Sequence, residues 1–214
     1  MVTILGTLGS SPETLLPTIR SSEDVTKVVT FRAFDGGSEQ CSRRVKDLCR
    51  SLEIDYEEKV IDDPYQMLGI ARTMQSTVHD LLAEGEEISV FNIAGGTKLM
   101  SGAAMFLCAI ESINAVYVHD ETKEEIPLPL VQMNFSDYLT DVEKRIIRFL
   151  LDTERNVSQK DICEGLELHK ATVNHHIKML IGKGVVHLEP REEDLRIKDV
   201  QLEKGIELLL EVLT

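Results

Sequence analysis

The sequence predicts an α/β protein with a Rossmann-like, mostly parallel sheet covered by helices on both faces, followed by a winged helix-turn-helix domain. Strand-like apolar runs alternate with helical segments over about the first 130 residues, which is the pattern of βαβ units. Near Ser136 the pattern changes to short helices that end in a pair of strands. We therefore expect two domains, residues 1–135 and residues 136–214.

The first predicted strand runs from Val2 to Leu8, and a small polar loop follows it directly. Ser11 is suited to cap a helix, and Pro12 suits the first helical position. A cap alone would account for Ser11, although capping and ligand contact are compatible. The candidate ligand contacts in and beside this loop are Thr7, Gly9, Ser10 and Ser11.

The next elements continue the alternation. We expect a second strand over Val25–Phe34, a helix over Glu39–Leu52, and a more polar third strand over Ile54–Asp62. The polarity of the third strand predicts a place near the edge of the sheet. A long helix then opens at Asp63–Pro64 and closes at Gly85.

The fourth strand, Ile88 to Ile93, is the most apolar, as expected for a strand buried on both faces. Gly95 and Gly96 follow it and allow the backbone to turn sharply with its N–H groups exposed. Thr97 adds a hydroxyl, Lys98 an ammonium, and a helix N-terminus points to the same place. An isolated Gly-Gly pair could be only a tight turn, but the convergence of these groups predicts an anion pocket. Its candidate contacts are Asn92, Ala94, Gly95, Gly96, Thr97 and Lys98.

The two loops are expected to face each other. In an open parallel sheet, loops at the carboxyl ends of the strands form the ligand crevice. Neither the Walker A spacing nor the G-x-G-x-x-G fingerprint is present, so the sequence favours neither ATP hydrolysis nor NAD binding. A strand over Ala115–His119 and a hairpin partner over Glu125–Met133 with two prolines complete the sheet with an antiparallel edge.

The second domain begins with an amphipathic helix containing Val142 and Leu151, preceded by Thr140 and Glu143 in capping-box spacing. A second helix starts at Ser158 and ends at Gly165. The third predicted helix is His169–Lys183, and two short strands follow it over Val185–Glu189 and Leu195–Val200. This is the element order of a winged helix-turn-helix. A last apolar helix is predicted over Leu202–Leu213, to pack on the domain or on a second copy.

Double-stranded DNA is the usual target of such a domain, with the third helix in the major groove. The side chains expected at base edges are Thr172, Asn174 and His175. Those expected at phosphates are Lys170, Lys178, Lys183, Arg191 and Arg196. The domain could instead serve dimerisation or protein docking. The histidines near the third helix do not predict a metal site, because adjacent His175 and His176 point in different directions.

Composition limits the function classes. The net charge is −14, with −10 in residues 1–135 and −4 in residues 136–214, which argues against binding nucleic acid through bulk charge. The four cysteines have no C-x-x-C spacing, so we expect free thiols. No apolar run is long enough to span a membrane, and the N-terminus lacks signal-peptide features, so a cytoplasmic protein without membrane contact is expected.

The segment NIAGGTKLMSGAAM, Asn92 to Met105, together with the N-terminal strand and LGSSPET turn, resembles the CARF domain, the CRISPR-associated Rossmann fold. A CARF domain followed by a winged helix resembles the CRISPR-associated transcription regulators found mainly in archaea. The resemblance implies a homodimer that binds a cyclic oligoadenylate, most often cyclic tetra-adenylate, across its interface, with no other cofactor.

A ring of four identical nucleotides has two-fold symmetry, so one ring could contact the same loop of both chains in a C2 dimer. The resemblance therefore implies a ligand-responsive DNA-binding regulator. The alternative is a ring nuclease that cleaves the cyclic oligoadenylate, with Lys98 and a loop hydroxyl aiding attack of a ribose 2′-OH. A weaker alternative is a regulator responding to another nucleotide.

Overall fold

The computed structural model describes residues 2–130, 138–153, 156–191 and 194–203; of residues 194–196 only the backbone is described. The chain divides into two compact units, Met1–Met133 and Asn134–Thr214. The first is an α/β unit and the second contains helices and a β-hairpin. The predicted fold class is confirmed.

The first unit is built on a six-stranded sheet. Its strands are β1 (Val2–Leu8), β2 (Val25–Ala33), β3 (Asp55–Ile61), β4 (Glu87–Asn92), β5 (Ala115–Val118) and β6 (Glu125–Leu128). The spatial order is β3-β2-β1-β4-β5-β6. All neighbours are parallel except β5 and β6, which are antiparallel. The chain therefore runs outward from β1 to β3 and crosses back to β4 on the other side of β1. This reversal places a topological switch point between β1 and β4.

The helices of this unit cover the sheet on both faces. A 3₁₀ turn (Pro12–Thr14) precedes α1 (Leu16–Ser21), and the longer helices are α2 (Gly36–Ser51), α3 (Met67–Ala83) and α4 (Lys98–Glu111). Every residue of β1 from Thr3 to Leu8 is buried, so neither face of this strand is open to solvent. On one face, α1 and α2 pack on β1 and β2 in a core that includes Ile4, Leu8 and Val45.

Element boundaries differ from the prediction where local side chains decide them. The second helix begins at Gly36 and not at Glu39, because Asp35 caps it by accepting a hydrogen bond from the Ser38 N–H at 2.8 Å. The third begins at Met67 and not at Pro64, because the Asp63 carboxylate accepts from the Tyr65 N–H and holds a turn there. β3 lies at the sheet edge, as predicted.

The second unit contains α5 (Asp141–Leu151), α6 (Gln159–Leu166) and α7 (Lys170–Gly182), then an antiparallel hairpin of β7 (Val186–Arg191) and β8 (Asp194–Leu202). The predicted capping box of Thr140 and Glu143 is present at the start of α5, and Ser158 with Asp161 forms a second one at α6. Buried side chains from all three helices and both strands share one core, which includes Ile146, Ile177 and Val200.

Two predicted elements reach residues that are not described. The predicted strand to Met133 ends at Leu128, and residues 131–133 lie outside the described residues. The predicted final helix was wrong at its first residue, because Leu202 ends β8; residues 204–214 lie outside the described residues. Among the helices that are described, none is long and apolar enough to cross a membrane.

Candidate functional site

The loops after β1 and β4 are in direct contact at the switch point. A β-carbon built on Gly95 would lie 2.1 Å from the carbonyl oxygen of Thr7 and 3.0 Å from the amide nitrogen of Gly9. A β-carbon on Gly9 would in turn lie 3.0 Å from the amide nitrogen of Gly96. Real side chains do not approach backbone this closely, so glycine at position 95 is what permits the contact. The structure thereby brings the two predicted loops together into one candidate ligand site.

Gly96 turns the second loop toward the helix that follows it. Its φ of +76° lies in the left-handed region that favours glycine. Gly96 is exposed, whereas Gly95 beneath it is buried and Ala94 is half-buried. The loop therefore presents its backbone at the surface through Gly96 and anchors itself through Gly95.

The side chain of Asn92 fixes the start of this loop from inside the protein. Asn92 is fully buried. Its amide nitrogen donates to the Thr14 carbonyl oxygen at 2.8 Å and to Thr18 Oγ1 at 2.6 Å, and its amide oxygen accepts from the Ala94 N–H at 2.9 Å. Asn92 thus links the β4 loop to the first helical turns, and every polar atom of its side chain has a protein partner.

Thr97 and Lys98 form the N-terminus of α4. Thr97 Oγ1 accepts from the Met100 N–H at 3.2 Å as the helix cap, and it donates to the Pro64 carbonyl oxygen at 3.0 Å. Lys98 is exposed, and its ammonium has no ion pair or hydrogen bond within the described part of the chain. The helix dipole and this ammonium both favour an anion here.

The three polar residues near β1 behave differently. Ser10 is exposed, with its Cβ 3.4 Å from the position of a β-carbon on Gly37, so the loop after β2 also reaches the site. Ser11 occupies the N-cap position of the 3₁₀ turn, as predicted, but it makes no capping hydrogen bond, and its Oγ donates to the Glu13 carboxylate at 2.6 Å. That hydrogen bond is the main reason why the pKa of Glu13 is lowered. Thr7 is fully buried, with Oγ1 3.5 Å from the Asn92 carbonyl oxygen.

Sequence reasoning missed two aromatic side chains at the same sheet edge. Phe34 follows β2 directly, and Tyr65 lies between β3 and α3. Phe34 was included in the second predicted strand, but β2 ends at Ala33 and leaves the Phe34 side chain 83% exposed. The sequence signal that could have identified Phe34 and Tyr65 was the position of each directly beside a loop residue, Asp35 or Pro64.

The second unit presents a separate candidate surface on α7. The inner face of the helix is buried through Val173, Ile177 and Leu180. The residues exposed on the outward face are Lys170, Ala171, Asn174, His175, Lys178, Met179, Ile181 and Gly182. Thr172 is half-buried at the border of this face. The helix contains no acidic residue, although the chain carries 37 of them. This face is therefore locally basic in an acidic protein.

Of the basic residues expected at phosphates, two form ion pairs within the second unit, and the side chain of a third is not described. Arg191 forms a two-point ion pair inside the hairpin, with Nη2 2.6 Å from Asp199 Oδ1 and Nε 3.1 Å from Oδ2. Lys183, which was expected at a phosphate, is instead held inside the unit, with Nζ 2.8 Å from Glu143 Oε2 and 2.6 Å from the Tyr138 carbonyl oxygen. The side chain of Arg196 lies outside the described residues.

The histidines near α7 do not gather around a possible metal position. The rings of His175 and His176 meet edge to face with centroids 5.2 Å apart. Within the described ranges, no group of three or more His, Cys, Asp or Glu side chains could hold a metal ion.

Comparison with known families finds one match within each unit. Residues 39–131 match the model of the CRISPR-associated protein family Cas_APE2256, a CARF-type domain, and residues 139–197 match the MarR family. The resemblance to a CARF domain followed by a winged helix is thereby confirmed. No curated protein matches the chain.

Several solved structures are similar to part of the chain. A mutant of MepR from S. aureus, bound to an oligodeoxyribonucleotide, is 22% identical, over 37% of this chain and 58% of that one, with a TM-score of 0.34. The S. aureus MepR–DNA complex is 23% identical over 35% and 61%, with a TM-score of 0.32. The regulator BldR from Sulfolobus solfataricus is 21% identical over 35% and 53%, with a TM-score of 0.32. The chain thus spans less than two thirds of these proteins' length.

Proposed function

We propose that the protein is a CRISPR-linked transcription regulator that acts as a homodimer. The first unit of the dimer binds a cyclic oligoadenylate, namely cyclic tetra-adenylate, and the winged helix binds double-stranded DNA. The observation that carries the proposal is the contact of Gly95 with Thr7 and Gly9 at the switch point, in the same chain as a MarR-type domain. Switch points of open α/β sheets are where such folds bind nucleotides.

The exposed groups of the site suit a phosphodiester. Ser10, Gly96 and Lys98 are exposed around the contact between the loops. Together they offer a hydroxyl, backbone N–H groups and an ammonium, which are groups that donate hydrogen bonds to phosphate oxygens. Asn92 and Thr7, which are buried, take the role of holding the loops in place. Ser11 reaches a phosphate only by exchanging its bond to Glu13.

Symmetry supports a cyclic ligand shared by two chains. A single copy supplies one free ammonium at the site, Lys98, within the described residues. Two copies related by a two-fold axis would present two such loops to one ring of four nucleotides, each contacting equivalent phosphates. The dimer would also supply two α7 helices, one for each half of a palindromic DNA site.

The exposed face of α7 suits the major groove. Asn174 and His175 could reach base edges, while Lys170 and Lys178 meet phosphates. The absence of acidic residues from this helix avoids local repulsion from the DNA backbone. Regulation follows if the ring binds the two states of the dimer with different affinity, since only a differential affinity can shift their populations.

The ligand proposal is tested by calorimetric titration with cyclic tetra-adenylate. Wild type, Lys98→Ala and the matched control Lys46→Ala, which removes an exposed lysine of α2, are compared. We expect one ring per two chains, at least tenfold weaker binding for Lys98→Ala, and an unchanged control. Chromatography of the recovered ligand shows whether the ring is intact. Linear products would indicate a ring nuclease instead, and no binding to wild type would refute the ligand.

The DNA proposal is tested by fluorescence anisotropy with duplexes selected from a random-sequence pool, at several salt concentrations. Replacing Lys178 with alanine removes one phosphate contact, so we expect the slope of log affinity against log salt to decrease by about one. Lys46→Ala should leave it unchanged. Added cyclic tetra-adenylate should change DNA affinity at fixed salt; an identical affinity with and without it would refute the coupling.

A further inference from the structure

Two aromatic side chains beside the candidate ligand site are exposed without a packing role. Phe34 is 83% exposed and Tyr65 is 76% exposed, and the next most exposed of the large apolar side chains described is Tyr138 at 55%. Neither ring stacks on another ring among the described residues. Single exposed apolar residues are common in soluble proteins, but these two lie at the same edge of one sheet.

The backbone that carries both rings is fixed. The Asp35 N–H donates to the Ala33 carbonyl oxygen at 3.0 Å, and Asp35 caps α2. The Tyr65 N–H donates to Asp63 Oδ1 at 2.9 Å. Each ring therefore projects from an ordered turn, so placing it on a ligand costs little conformational entropy beyond its two side-chain torsions.

Both turns touch the candidate site. The loop after Phe34 reaches Ser10, whose Cβ would be 3.4 Å from a β-carbon on Gly37. Pro64, next to Tyr65, accepts a hydrogen bond from Thr97 at 3.0 Å. Phe34 and Tyr65 thus belong to the two segments that border the loops after β1 and β4.

We propose that Phe34 and Tyr65 stack on the purine bases of the bound nucleotide ring, an inference that rests on the proposed function. The site has a single free ammonium, Lys98, among the described residues, so charge alone supplies limited affinity, whereas every base has an apolar π face that an aromatic ring can cover. Two aromatic side chains per chain give four per dimer. This number matches one aromatic side chain for each base of a cyclic tetranucleotide.

The test compares binding of cyclic tetra-adenylate to wild type, Phe34→Leu, Tyr65→Leu, Phe34→Trp and Tyr65→Trp by calorimetry. Each leucine variant removes one aromatic side chain from each chain, so two stacked bases are lost per dimer. Each lost base should weaken binding about fivefold to a hundredfold, and the two losses multiply. The tryptophan variants should keep the affinity. Because the chain contains no natural tryptophan, the introduced indole is a unique probe, and its fluorescence should be quenched when the ring is added.

The control is Leu82→Ala, which removes a 47% exposed apolar side chain near the far end of α3; it should bind as wild type does. If both leucine variants bind normally while Lys98→Ala is weakened, stacking is refuted and the proposed ligand site stands. If wild type does not bind the ring, both proposals fail. Unquenched fluorescence in tryptophan variants that bind tightly also refutes stacking.

Discussion

The loop after β4 passes so close to β1 that a β-carbon on Gly95 would lie 2.1 Å from the carbonyl oxygen of Thr7. The obstacle is backbone, which cannot rotate away as a flexible side chain can. This single contact brings the two halves of the candidate site together, so the stability of the loop and the shape of the site depend on the same atoms.

Replacing Gly95 with alanine should therefore damage both properties. We expect a loss of about 1–3 kcal/mol in the free energy of unfolding, because the methyl group must displace one loop. Urea denaturation measures this loss. The control is Gly102→Ala on α4, where a β-carbon meets no atom within 4 Å; there alanine should stabilise the helix by about 0.5–1 kcal/mol. Equal stability of the two variants would contradict the packing argument.

Asn92→Asp tests whether a buried residue controls the site without touching the ligand. The substitution removes the amide that donates to Thr14 and Thr18 and places a carboxylate oxygen beside a carbonyl oxygen. Leaving these buried acceptors without a donor should cost about 1–3 kcal/mol or more in the free energy of unfolding, measured by urea denaturation. Ligand affinity should fall as well, since the loop loses its anchor.

The matched control for Asn92 is Asn114→Asp. Asn114 is exposed, and its amide nitrogen is 3.5 Å from the Ser89 carbonyl oxygen. Exposed substitutions of this kind usually stay within about 0.5 kcal/mol. A loss at position 114 as large as that at position 92 would mean that the charge itself is responsible, and not the buried hydrogen bonds.

The sequence was informative where one local pattern decides the structure. The apolar run before Gly95 and the run at Val2–Leu8 predicted two strands with polar loops, and the sheet places those loops side by side. Full burial holds for β1 from Thr3 onward, whereas β4 is only half-buried from Ile88 to Val90. Capping residues such as Thr140 predicted a helix start correctly, because the cap acts on its own backbone three residues away.

The sequence was less informative where distant residues meet. Lys183 was expected to meet DNA phosphates, but it pairs with Glu143, 40 residues earlier. Arg191 pairs with Asp199 across the hairpin. These choices depend on which charges the tertiary fold brings together, and helical spacing carries no information about them. The exposure of Phe34 likewise depends on β2 ending one residue earlier than its apolar run.

The reactivity of the cysteine thiols tests whether the cores are packed as described. Burial raises the pKa of Cys41 and Cys49 to about 11 and that of Cys108 to about 12. Their reactive thiolate forms are thus rare at pH 8. Only Cys163 is half-buried. With Ellman's reagent we expect one thiol per native chain to react quickly and all four in denaturant. The variant Cys163→Ser should remove the fast phase, and rapid reaction of two or more native thiols would contradict the described packing.

The ion pair of Lys183 and Glu143 should make the second unit sensitive to pH. Burial alone would raise the pKa of Glu143, but the hydrogen bonds from Lys183 and from the Thr140 N–H outweigh it, so the pKa is lowered from its usual 4.5. A carboxyl with a lowered pKa in the folded state stabilises the fold above its usual pKa. This contribution is lost as pH falls below 4.5 toward the folded-state value.

Lys183→Met removes the ammonium and leaves the Glu143 carboxylate buried, with its side chain only 1% exposed, the Thr140 N–H as a donor and His176 Nδ1 3.8 Å away. We expect a loss of about 2–3 kcal/mol at pH 7, measured by urea denaturation. The loss should shrink as pH falls through the usual range of a glutamate, because a protonated carboxyl no longer needs the ammonium. The control Lys160→Met breaks an exposed pair with Glu164, and should change stability by less than about 1 kcal/mol at any pH. A loss for Lys183→Met that is independent of pH would mean that its aliphatic packing, and not its charge, stabilises this unit.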